Sequence, residues 1–426
     1  MVSPLHGSAS KAQRRAVETA PMPTRPVLNV ALVGYAFMGR AHSNAYATVN
    51  RYFPDTPFQV VRKVMVGRSA GPLAQAAGEL GWDEYSTDLD AVLKRDDIHL
   101  VDIATPNDSH AALTIKALKA GKHVLCEKPI GLNTGEGLKM LKAAQAATVG
   151  GKPARVGVWH NYRRCPAAST AAALIRDGKL GDIRQVRAVY LQDWLSDDSC
   201  PWLWRMNRKV CGSGAHGDLN AHLIDMTRFM TGLEFAEVSS LQETFTKKRR
   251  MPDGKGFGTV DVDDAFLFLA RLSNGAVASF EATRVAAGRK NYNRIEINGT
   301  RGSLVWNFER MNELEFFSYD DDARVQGFRT IMCMNGAAHP YAGNFWPDGH
   351  IIGYEHTFTT TLYDYLKSLA SGTEFRPDFR DGVANQEVLD ATLVSAEKKK
   401  WVAVKHSQKF AHPAEPARVA AKNAGL

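Results

Sequence analysis

The sequence predicts a two-domain protein, in which an amino-terminal α/β domain with a parallel sheet precedes an α+β domain with a large, mostly antiparallel sheet. Its 426 residues are too many for one ordinary hydrophobic core, since domains usually hold about 100–200 residues. Strand-like apolar runs alternate with helical patterns in the first third of the chain, whereas extended segments dominate afterwards. We therefore divide the chain into a disordered leader, two domains and a disordered tail, at residues 1–26, 27–150, 151–405 and 406–426.

The first domain is predicted from the regular alternation of strands and helices. A buried strand at 27–34 ends in a glycine and precedes a helical stretch at 38–49. The same order recurs, with strands at 58–66, 100–104 and 123–126 and helices at 71–80, 89–94 and 108–120. Such alternation with short connections is typical of βαβ units, which build a parallel sheet.

The second domain is predicted from a change of pattern after Arg155. A strand at 156–159 and a helix at 167–177 precede mostly extended segments at 183–194, 237–246, 265–272, 276–284, 292–297, 303–307 and 313–318. The turn Ser273-Asn274-Gly275 between two of them indicates a β-hairpin. We also predict a helix from near Gly217, a mobile loop at 247–261, and late helices at 359–369 and 383–400.

Composition and charge exclude two classes of protein. The apolar fraction of 44% and the charged fraction of 23% are ordinary for a globular protein, and no apolar run approaches the ~20 residues that cross a bilayer. The formal net charge of +8 lies at the ends, with +3 in residues 1–26 and +6 in residues 398–426. A membrane protein is therefore excluded, and a basic groove for nucleic acid is not indicated.

The cysteines indicate the compartment. There are five, they are widely spaced, and no Cys-x-x-Cys pair occurs, so we predict neither a metal site nor a redox pair. This usage fits a reducing, cytoplasmic location. Arg14-Arg15 suggests an export signal, but the following residues contain three prolines and no apolar stretch. We predict a disordered leader instead, with Met22 as an alternative start to Met1.

A dinucleotide-binding turn is predicted between the first strand and the first helix, where the chain reads Gly-Tyr-Ala-Phe-Met-Gly. The first glycine permits a tight turn, the small alanine lets the backbone approach a pyrophosphate, and the last glycine permits close helix packing. The helix amino terminus then attracts the anion. A glycine-rich turn without a ligand is the alternative, which the strand–helix alternation disfavours. The predicted cofactor contacts here are Gly34, Ala36, Phe37, Met38 and Gly39.

Two further strand ends are predicted to contact the cofactor. The second strand ends in Gly67 and Arg68, where a carboxylate would normally bind the adenosine ribose. Arg68 suits a 2′-phosphate electrostatically, but an exposed surface arginine is the alternative, so the choice between NAD and NADP stays open. Thr105 and Asn107 follow the third strand and are expected near the diphosphate and the nicotinamide ribose. For Asn107 a simple helix-initiating turn is the alternative.

Two charged motifs predict hydride-transfer chemistry. Glu127-Lys128-Pro129 follows the fourth strand, at the edge where open parallel sheets bind ligands. Lys128 can stabilise a developing alkoxide and Glu127 can position Lys128 or the ribose, with a surface ion pair as the alternative. Asp218 and His222 lie one helical turn apart after a glycine-rich segment, so both project from one face. His222 is the natural proton acceptor, and Asp218 can orient a sugar hydroxyl or tune His222.

Together these motifs resemble the glucose-fructose oxidoreductase, inositol dehydrogenase and rhizopine-catabolism (Gfo/Idh/MocA) dehydrogenases, from about residue 29 to residue 401. The resemblance implies that Lys128 is the catalytic lysine, His222 the acid/base and Asp218 its substrate-binding partner. It also implies a Rossmann domain, an NAD or NADP cofactor, and an open-faced sheet in the second domain that makes oligomer contacts.

Other polar and aromatic residues are candidates for substrate binding. Arg163 follows a strand that is expected to reach the active-site edge. Trp194, Trp204 and Arg205 offer flat apolar faces and hydrogen-bond donors, and aromatic faces bind the C–H side of sugar rings. For each tryptophan a place in the hydrophobic core is the alternative.

The sequence therefore predicts an NAD(P)-dependent dehydrogenase that transfers hydride between nicotinamide and a secondary hydroxyl or ketone of a sugar, sugar derivative or inositol. A non-catalytic ligand sensor on the same fold is one alternative, which the presence of both Lys128 and His222 disfavours. Oxidation coupled to elimination or glycoside cleavage is another. Ala36 and Gly67 depart from the family's commonest pattern, which leaves the cofactor preference open. The predicted partners are a small sugar or polyol and further copies of the chain.

Overall fold

The computed structural model of the protein describes residues 25–336 and 339–408. The predicted leader and tail fall mainly on residues 1–24 and 409–426, which lie outside the described residues. At the start of the predicted tail, His406 and Ser407 are packed on the body. Nε2 of His406 donates to the Phe235 carbonyl at 2.7 Å, and the Ser407 amide donates to a Glu387 carboxylate oxygen at 2.8 Å. The packed body therefore extends past residue 405.

The amino-terminal part of the chain alternates strands and helices, as predicted. Its elements are β1 Val27–Val33, α1 Phe37–Tyr52, β2 Gln59–Val66, α2 Ala70–Glu79, β3 Glu84–Ser86, α3 Leu89–Leu93, β4 Leu100–Ile103, α4 His110–Lys119, β5 His123–Cys126, α5 Thr134–Ala146, β6 Thr148–Val149, β7 Lys152–Pro153 and β8 Val156–Val158. The strands lie side by side in the order β3-β2-β1-β4-β5-β8, and each neighbouring pair is parallel. The predicted parallel α/β domain is confirmed.

This sheet has apolar side chains on both of its faces. Along β1, Val30 and Leu32 pack into one hydrophobic cluster, whereas Ala31 and Val33 pack into another. Since successive side chains of a strand point to opposite faces, the two clusters cover the two faces of the sheet. Burial on both faces explains why the strand reads as a continuous apolar run and not as an alternation.

The remaining elements are α6 Pro166–Arg176, β9 Ile183–Leu191, α7 Arg208–Cys211, α8 Ala221–Thr231, β10 Phe235–Glu243, β11 Lys248–Arg250, β12 Phe257–Thr259, β13 Ala265–Leu272, β14 Val277–Thr283, β15 Tyr292–Gly299, β16 Gly302–Asn307, β17 Glu313–Ser318, β18 Arg329–Met332, α9 Ala342–Phe345, α10 Tyr354–Ser371, α11 Phe379–Lys398 and β19 Val402–Ala403. Nine of the strands form a second sheet in the order β18-β17-β16-β15-β9-β14-β13-β10-β19. All its neighbouring pairs are antiparallel except β9 and β14. The predicted mostly antiparallel sheet is confirmed, and β13 and β14 form the predicted hairpin.

Helices α6, α8 and α11 pack against this second sheet, where α6 contacts β17, α8 contacts β9 and α11 contacts β10. Outward-facing positions on β13 and β14 alternate with buried ones, as expected for a sheet with one covered face. The helix predicted from near Gly217 is α8, and a π-helical turn at His216–Asn220 leads into it.

The segment 247–261, predicted as a mobile loop, is instead a short hairpin of β11 and β12. Arg249 holds it in place, because its buried guanidinium donates to the carbonyls of Leu195 at 2.7 Å and Asp197 at 2.8 Å. A polar, glycine-rich sequence did not reveal this anchor, since its acceptors lie about fifty residues away in the chain.

Three elements link the two domains. Strand β8 follows the predicted boundary at residue 150, yet it pairs with β5 and completes the first sheet. Helix α11 contacts α5 and β8 on one side and α8 and β10 on the other, and α10 packs along α1. The carboxyl ends of the parallel strands consequently face a fixed surface of the second domain.

Candidate active site

A cavity of about 520 Å³ lies between the two domains. One side is lined by the residues that follow β1, β4, β5 and β8, and the other by residues of the second domain. Of the residues predicted for the site, the cavity is lined by Ala36, Phe37, Met38, Thr105, Asn107, Glu127, Lys128, Trp204, Arg205, Asp218 and His222. The cofactor motif and the two charged motifs therefore meet in one place.

The turn between β1 and α1 fits a dinucleotide. Gly34 has φ +107°, and a Cβ there would lie 2.5 Å from the Ala104 carbonyl oxygen. A Cβ on Gly39 would lie 2.3 Å from the Gly34 carbonyl oxygen, so both positions require glycine. Ala36 is the N-cap residue of α1, and its side chain makes no capping hydrogen bond. The first turn of α1 has no acidic residue. The helix amino terminus is thus left to bind an anion such as a pyrophosphate.

The end of β2 explains why this chain lacks the usual carboxylate. A Cβ on Gly67 would lie 2.4 Å from the ring of Tyr35, so the aromatic ring occupies the space of a side chain. Arg68 is exposed and lies outside the cavity lining. Asn107 begins a 3₁₀ turn, and its Nδ2 donates to the Cys211 carbonyl of the second domain at 3.0 Å. Asn107 therefore both starts a helical turn and links the two domains.

Lys128 and Asp218 form an ion pair between the domains. Nζ of Lys128 donates to Oδ1 of Asp218 at 2.8 Å and to the Asp218 carbonyl at 2.9 Å. Arg284, a residue that was not predicted, donates from Nη2 to Oδ2 of Asp218 at 2.8 Å. Burial by itself raises the pKa of Asp218, but Lys128 and Arg284 outweigh it and hold that pKa well below its ordinary value. Asp218 is therefore a carboxylate and a poor proton acceptor.

His222 lies in the same cavity and is 7% exposed. Its ring stacks on the ring of Tyr162, with 4.4 Å between the centroids. The pKa of His222 lies well below its ordinary value. Burial is the largest cause, and the positive charge of Lys128 and the neighbouring His160 lower the pKa further, whereas Asp218 raises it. The imidazole is neutral at pH 7 and can accept a proton.

Glu127 is held from behind by a buried histidine of α1. Nδ1 of His42 lies 2.9 Å from Oδ2 of Asp102, and Nε2 lies 3.0 Å from Oε1 of Glu127. Burial by itself lowers the pKa of His42, but the two carboxylates raise that pKa to about 9. The other carboxylate oxygen of Glu127 accepts from the Lys128 amide at 3.1 Å. Helix α1 is thereby connected to the segment that carries Lys128.

Two residues predicted to bind substrate lie elsewhere. Arg163 is 2% exposed, and its guanidinium donates to both carboxylate oxygens of Asp225, at 2.8 and 2.6 Å. It lies outside the cavity lining, and an internal ion pair occupies its guanidinium. Trp194 also lies outside the lining and packs, partly buried, in a small apolar cluster beside Trp202. Its Nε1 donates to Oε1 of Gln192, which lines the cavity, at 3.0 Å.

The cavity contains further polar residues, of which Tyr190 and Asn291 were not predicted from the sequence. The hydroxyls of Tyr162 and Tyr190 lie 2.9 Å apart, and Tyr190 donates to Oδ1 of Asn291 at 2.7 Å. Nε2 of Gln192 donates to the same oxygen at 2.8 Å. One signal was available for Tyr190, since it occupies an inward position near the carboxyl end of a strand whose other inward residues are apolar. Hydroxyls and amides of this kind can bind the hydroxyls of a sugar ring.

Among residues 25–336 and 339–408, His, Cys, Asp and Glu side chains form no group of three or more that could hold a metal ion. No helix in those two stretches is both long and apolar enough to span a bilayer.

The chain is similar to known oxidoreductases along nearly its whole described length. Levoglucosan dehydrogenase of Pseudarthrobacter phenanthrenivorans is 41% identical over 390 residues, which cover 88% of this chain and 98% of that protein. The structure of an oxidoreductase domain protein from Kribbella flavida has 46% sequence identity and a TM-score of 0.86, with 89% of this chain and 100% of that chain covered. A structure of levoglucosan dehydrogenase in complex with NADH and L-sorbose has 41% identity and a TM-score of 0.85, with the same coverage.

Family models match both domains. Residues 28–150 match the oxidoreductase family with an NAD-binding Rossmann fold, and residues 168–305 match the GFO/IDH/MocA C-terminal domain. The resemblance inferred from the charged motifs is therefore confirmed. The chain belongs to the GFO/IDH/MocA family and is an NAD(P)-dependent oxidoreductase.

Proposed function

We propose that this protein oxidises a secondary hydroxyl of a cyclic sugar or polyol, with Lys128, Asp218 and His222 as its catalytic residues. The observation that carries the proposal is the shared cavity. It contains an ammonium group from one domain, an imidazole from the other, and the dinucleotide-binding turn at the end of β1.

Each of the three residues has a role that follows from its surroundings. The neutral imidazole of His222 accepts the hydroxyl proton of the substrate. Lys128 has three N–H donors and directs two of them to Asp218, so one remains for the reacting oxygen. Asp218 stays ionised and fixes Lys128. When bound, the nicotinamide dinucleotide supplies the hydride acceptor.

The dinucleotide is bound by the residues that already shape its site. The turn from Gly34 to Gly39 and the amino terminus of α1 would hold the pyrophosphate, and Thr105, Asn107 and Glu127 line the adjoining cavity. Gly67 and Arg68 lie at the end of β2, where this fold binds the adenosine ribose. We propose that the cofactor is NAD or NADP, since Gly67 stands where a carboxylate would select NAD, and the exposed Arg68 suits a 2′-phosphate.

The substrate class is argued from the cavity and from a relative. Phenol and amide groups of Tyr190, Gln192 and Asn291 suit several ring hydroxyls, while Trp204 offers an aromatic face. Arg205 lies beside Trp204, with its guanidinium carbon 4.4 Å from the ring centroid, and is a further donor. Since a relative of 41% identity is named levoglucosan dehydrogenase, we propose a 1,6-anhydrosugar such as levoglucosan as the first substrate to test.

The test is a spectrophotometric assay of purified protein with NAD or NADP and a panel of levoglucosan, free monosaccharides and inositols. We expect reduced dinucleotide to accumulate with at least one anhydrosugar or cyclic polyol, and its formation to require Lys128. If no compound of the panel supports lysine-dependent turnover with either dinucleotide, the proposal is wrong.

We further propose a cytoplasmic homo-oligomer that associates through the uncovered face of the second sheet. The five cysteines are all free thiols, as in a reducing compartment. On β10, β13 and β14 the outward side chains include Leu241, Leu267, Leu269 and Val277, which are 65%, 40%, 53% and 45% exposed. Leu241 is paired with Leu267, Leu269 lies two residues further along the same face of β13, and Val277 is diagonal to Leu269 on β14. These four side chains form an exposed apolar surface, which the ion pair of Arg271 with Glu237 borders.

A further inference from the structure

Arg284 is a buried cation in the lining of the cavity, and its side chain forms a hydrogen bond with Asp218. It follows β14 directly and is 1% exposed. Its Nη2 donates to Oδ2 of Asp218, while Lys128 occupies Oδ1 of the same carboxylate. We propose that Arg284 is a positioning residue, which fixes the carboxylate of Asp218 so that Asp218 in turn fixes the ammonium group of Lys128. This inference rests on the proposed function.

The side-chain hydrogen bond of Arg284 goes to Asp218. Its Nε and Nη1 are buried and make no hydrogen bond with any described residue, and one N–H of Nη2 is bound to Asp218. One face of the guanidinium lies over the ring of Trp194, 5.2 Å from the centroid. Buried donors without acceptors are costly and rare in folded proteins, so their retention beside a reacting group indicates a function. The consequence is that Arg284 acts through Asp218.

The main chain of Arg284 is as firmly held as its side chain. Its amide donates to the Asp264 carbonyl at 3.0 Å, and its carbonyl accepts from the Leu195 amide at 3.0 Å. The backbone from which the guanidinium extends is therefore fixed at the end of β14. A lysine at this position would keep the charge but lose the planar fork and its contact with the Trp194 ring.

Loss of Arg284 changes both geometry and charge around His222. Without it, the carboxylate of Asp218 keeps one hydrogen-bonded cation instead of two, and it is free to rotate away from Lys128. The potential at His222 also becomes more negative, which favours the imidazolium form. We therefore expect a slower hydride-transfer step and a higher pKa of His222.

The experiment compares Arg284→Met and Arg284→Lys with Arg95→Met as a matched control. Arg95 lies in the first domain and pairs with Glu84, outside the cavity lining. For Arg284→Met we expect kcat to fall on the order of 10²-fold, as for removal of one charge-stabilising donor, with KM and dinucleotide affinity nearly unchanged. The acid limb of the kcat/KM profile should move to higher pH. Arg284→Lys should restore part of kcat, and Arg95→Met should behave as wild type.

A rise in KM alone, with an unmoved pH profile, would assign Arg284 to substrate binding and overturn the inference. Equal losses in Arg284→Met and in the control would do the same. Asp218→Asn provides a second check, because adding Arg284→Met to it should cost no further activity if Arg284 acts only through that carboxylate. Independent losses that multiply would contradict the proposal.

A readout without turnover separates this inference from the proposed function. Titration of ¹³C-labelled histidines by NMR, assigned with His222→Gln, reports the pKa of His222 directly. An upward shift in folded Arg284→Met supports the inference even if no substrate is found. An unchanged titration refutes it even in an active enzyme, whereas an inactive wild-type protein refutes only the proposed function.

Discussion

Lys128 is the residue on which the proposed chemistry depends most directly. Its ammonium group reaches across the cavity to the second domain and retains one donor for a substrate oxygen. Developing negative charge on that oxygen is stabilised more strongly in a water-poor site than in solution. The side chain is 13% exposed, so it is accessible to a ligand and only weakly hydrated.

We expect Lys128→Ala to lower kcat/KM on the order of 10²–10³-fold, since it removes the group that stabilises the alkoxide. Dinucleotide affinity, measured by quenching of intrinsic fluorescence, should stay near the wild-type value because the turn after β1 is untouched. Lys142→Ala on the exposed side of α5 is the matched control and should be fully active. An active Lys128→Ala variant would remove Lys128 from the mechanism.

The second residue-scale prediction concerns pH. His222 is faced by Lys128, Asp218, His160 and the phenols of Tyr162 and Tyr190. Burial and these neighbours together lower the pKa of His222. The base is lost only when His222 becomes protonated. The acid limb of kcat/KM for oxidation should therefore lie below pH 6.5, the ordinary value for histidine. An acid limb above pH 6.5 that persists in His222→Asn would identify a different base.

At the scale of elements, the connection between β1 and α1 is the tightest backbone contact of the cofactor site. We expect Gly39→Ala to weaken dinucleotide binding and to lower the melting temperature, because its Cβ would meet a backbone oxygen that cannot move aside. Gly71→Ala on α2 is the control, since a Cβ there meets nothing within 4 Å. It should raise stability by up to about 1 kcal/mol through helix propensity. Isothermal titration and thermal unfolding measure both effects.

Helix α1, β4 and β5 are joined by the buried contacts of His42 with Asp102 and Glu127. Because the folded-state pKa of His42 is raised to about 9, its contribution to stability is complete below pH 6.5 and is lost as the pH rises through about 9. We expect His42→Gln to lower the free energy of unfolding by on the order of 3–5 kcal/mol at neutral pH. The variant should also lose stability less steeply between pH 6.5 and 9.

Denaturant unfolding at several pH values measures this difference. His350→Gln, at an exposed histidine, should retain the wild-type dependence on pH. If His42→Gln has the same pH dependence as wild type, His42 is neutral in the folded protein and the two carboxylates do not share its charge.

Some elements could be derived from the sequence because their signals are local. Strands β5, β13 and β17 begin and end where the apolar patterns placed them. The hairpin at 247–261 was missed because its anchor, Arg249, binds carbonyls that are distant in the chain. The turn before α8 was predicted as part of the helix but is π-helical. Gly214, which precedes it, packs so closely on the backbone of Asp263 that a Cβ would lie 1.9 Å from the Asp263 carbonyl oxygen.

At the scale of the whole molecule, the uncovered sheet face predicts assembly. Leu269→Asp places a charge in the middle of the exposed apolar surface on β10, β13 and β14. We expect the wild-type protein to be an oligomer by light scattering and this variant to shift to a smaller mass. Val325→Asp, at an exposed position in the loop after β17, should leave the mass unchanged. A monomeric wild-type protein would contradict the proposed interface.

Only part of the candidate site could be predicted from the sequence. Lys128, Asp218 and His222 were predicted to lie together because each stands in a motif whose spacing has a chemical meaning, and all three line the cavity. Arg163 does not line it, and a strand end near the active site did not reveal that its guanidinium pairs with Asp225.

The sequence by itself determined the two domains, the dinucleotide-binding turn and the charged motifs. The patterns of apolar residues, the positions of the glycines and the spacing of the charged residues, on which these predictions rest, are local properties of the chain. Only the tertiary structure decided which charges pair. Arg284 reaches Asp218 across 66 positions of the chain, and His42 reaches Glu127 across 85. Electrostatic partners are set by distance in space and by exclusion of water, and neither can be read from a linear order of residues.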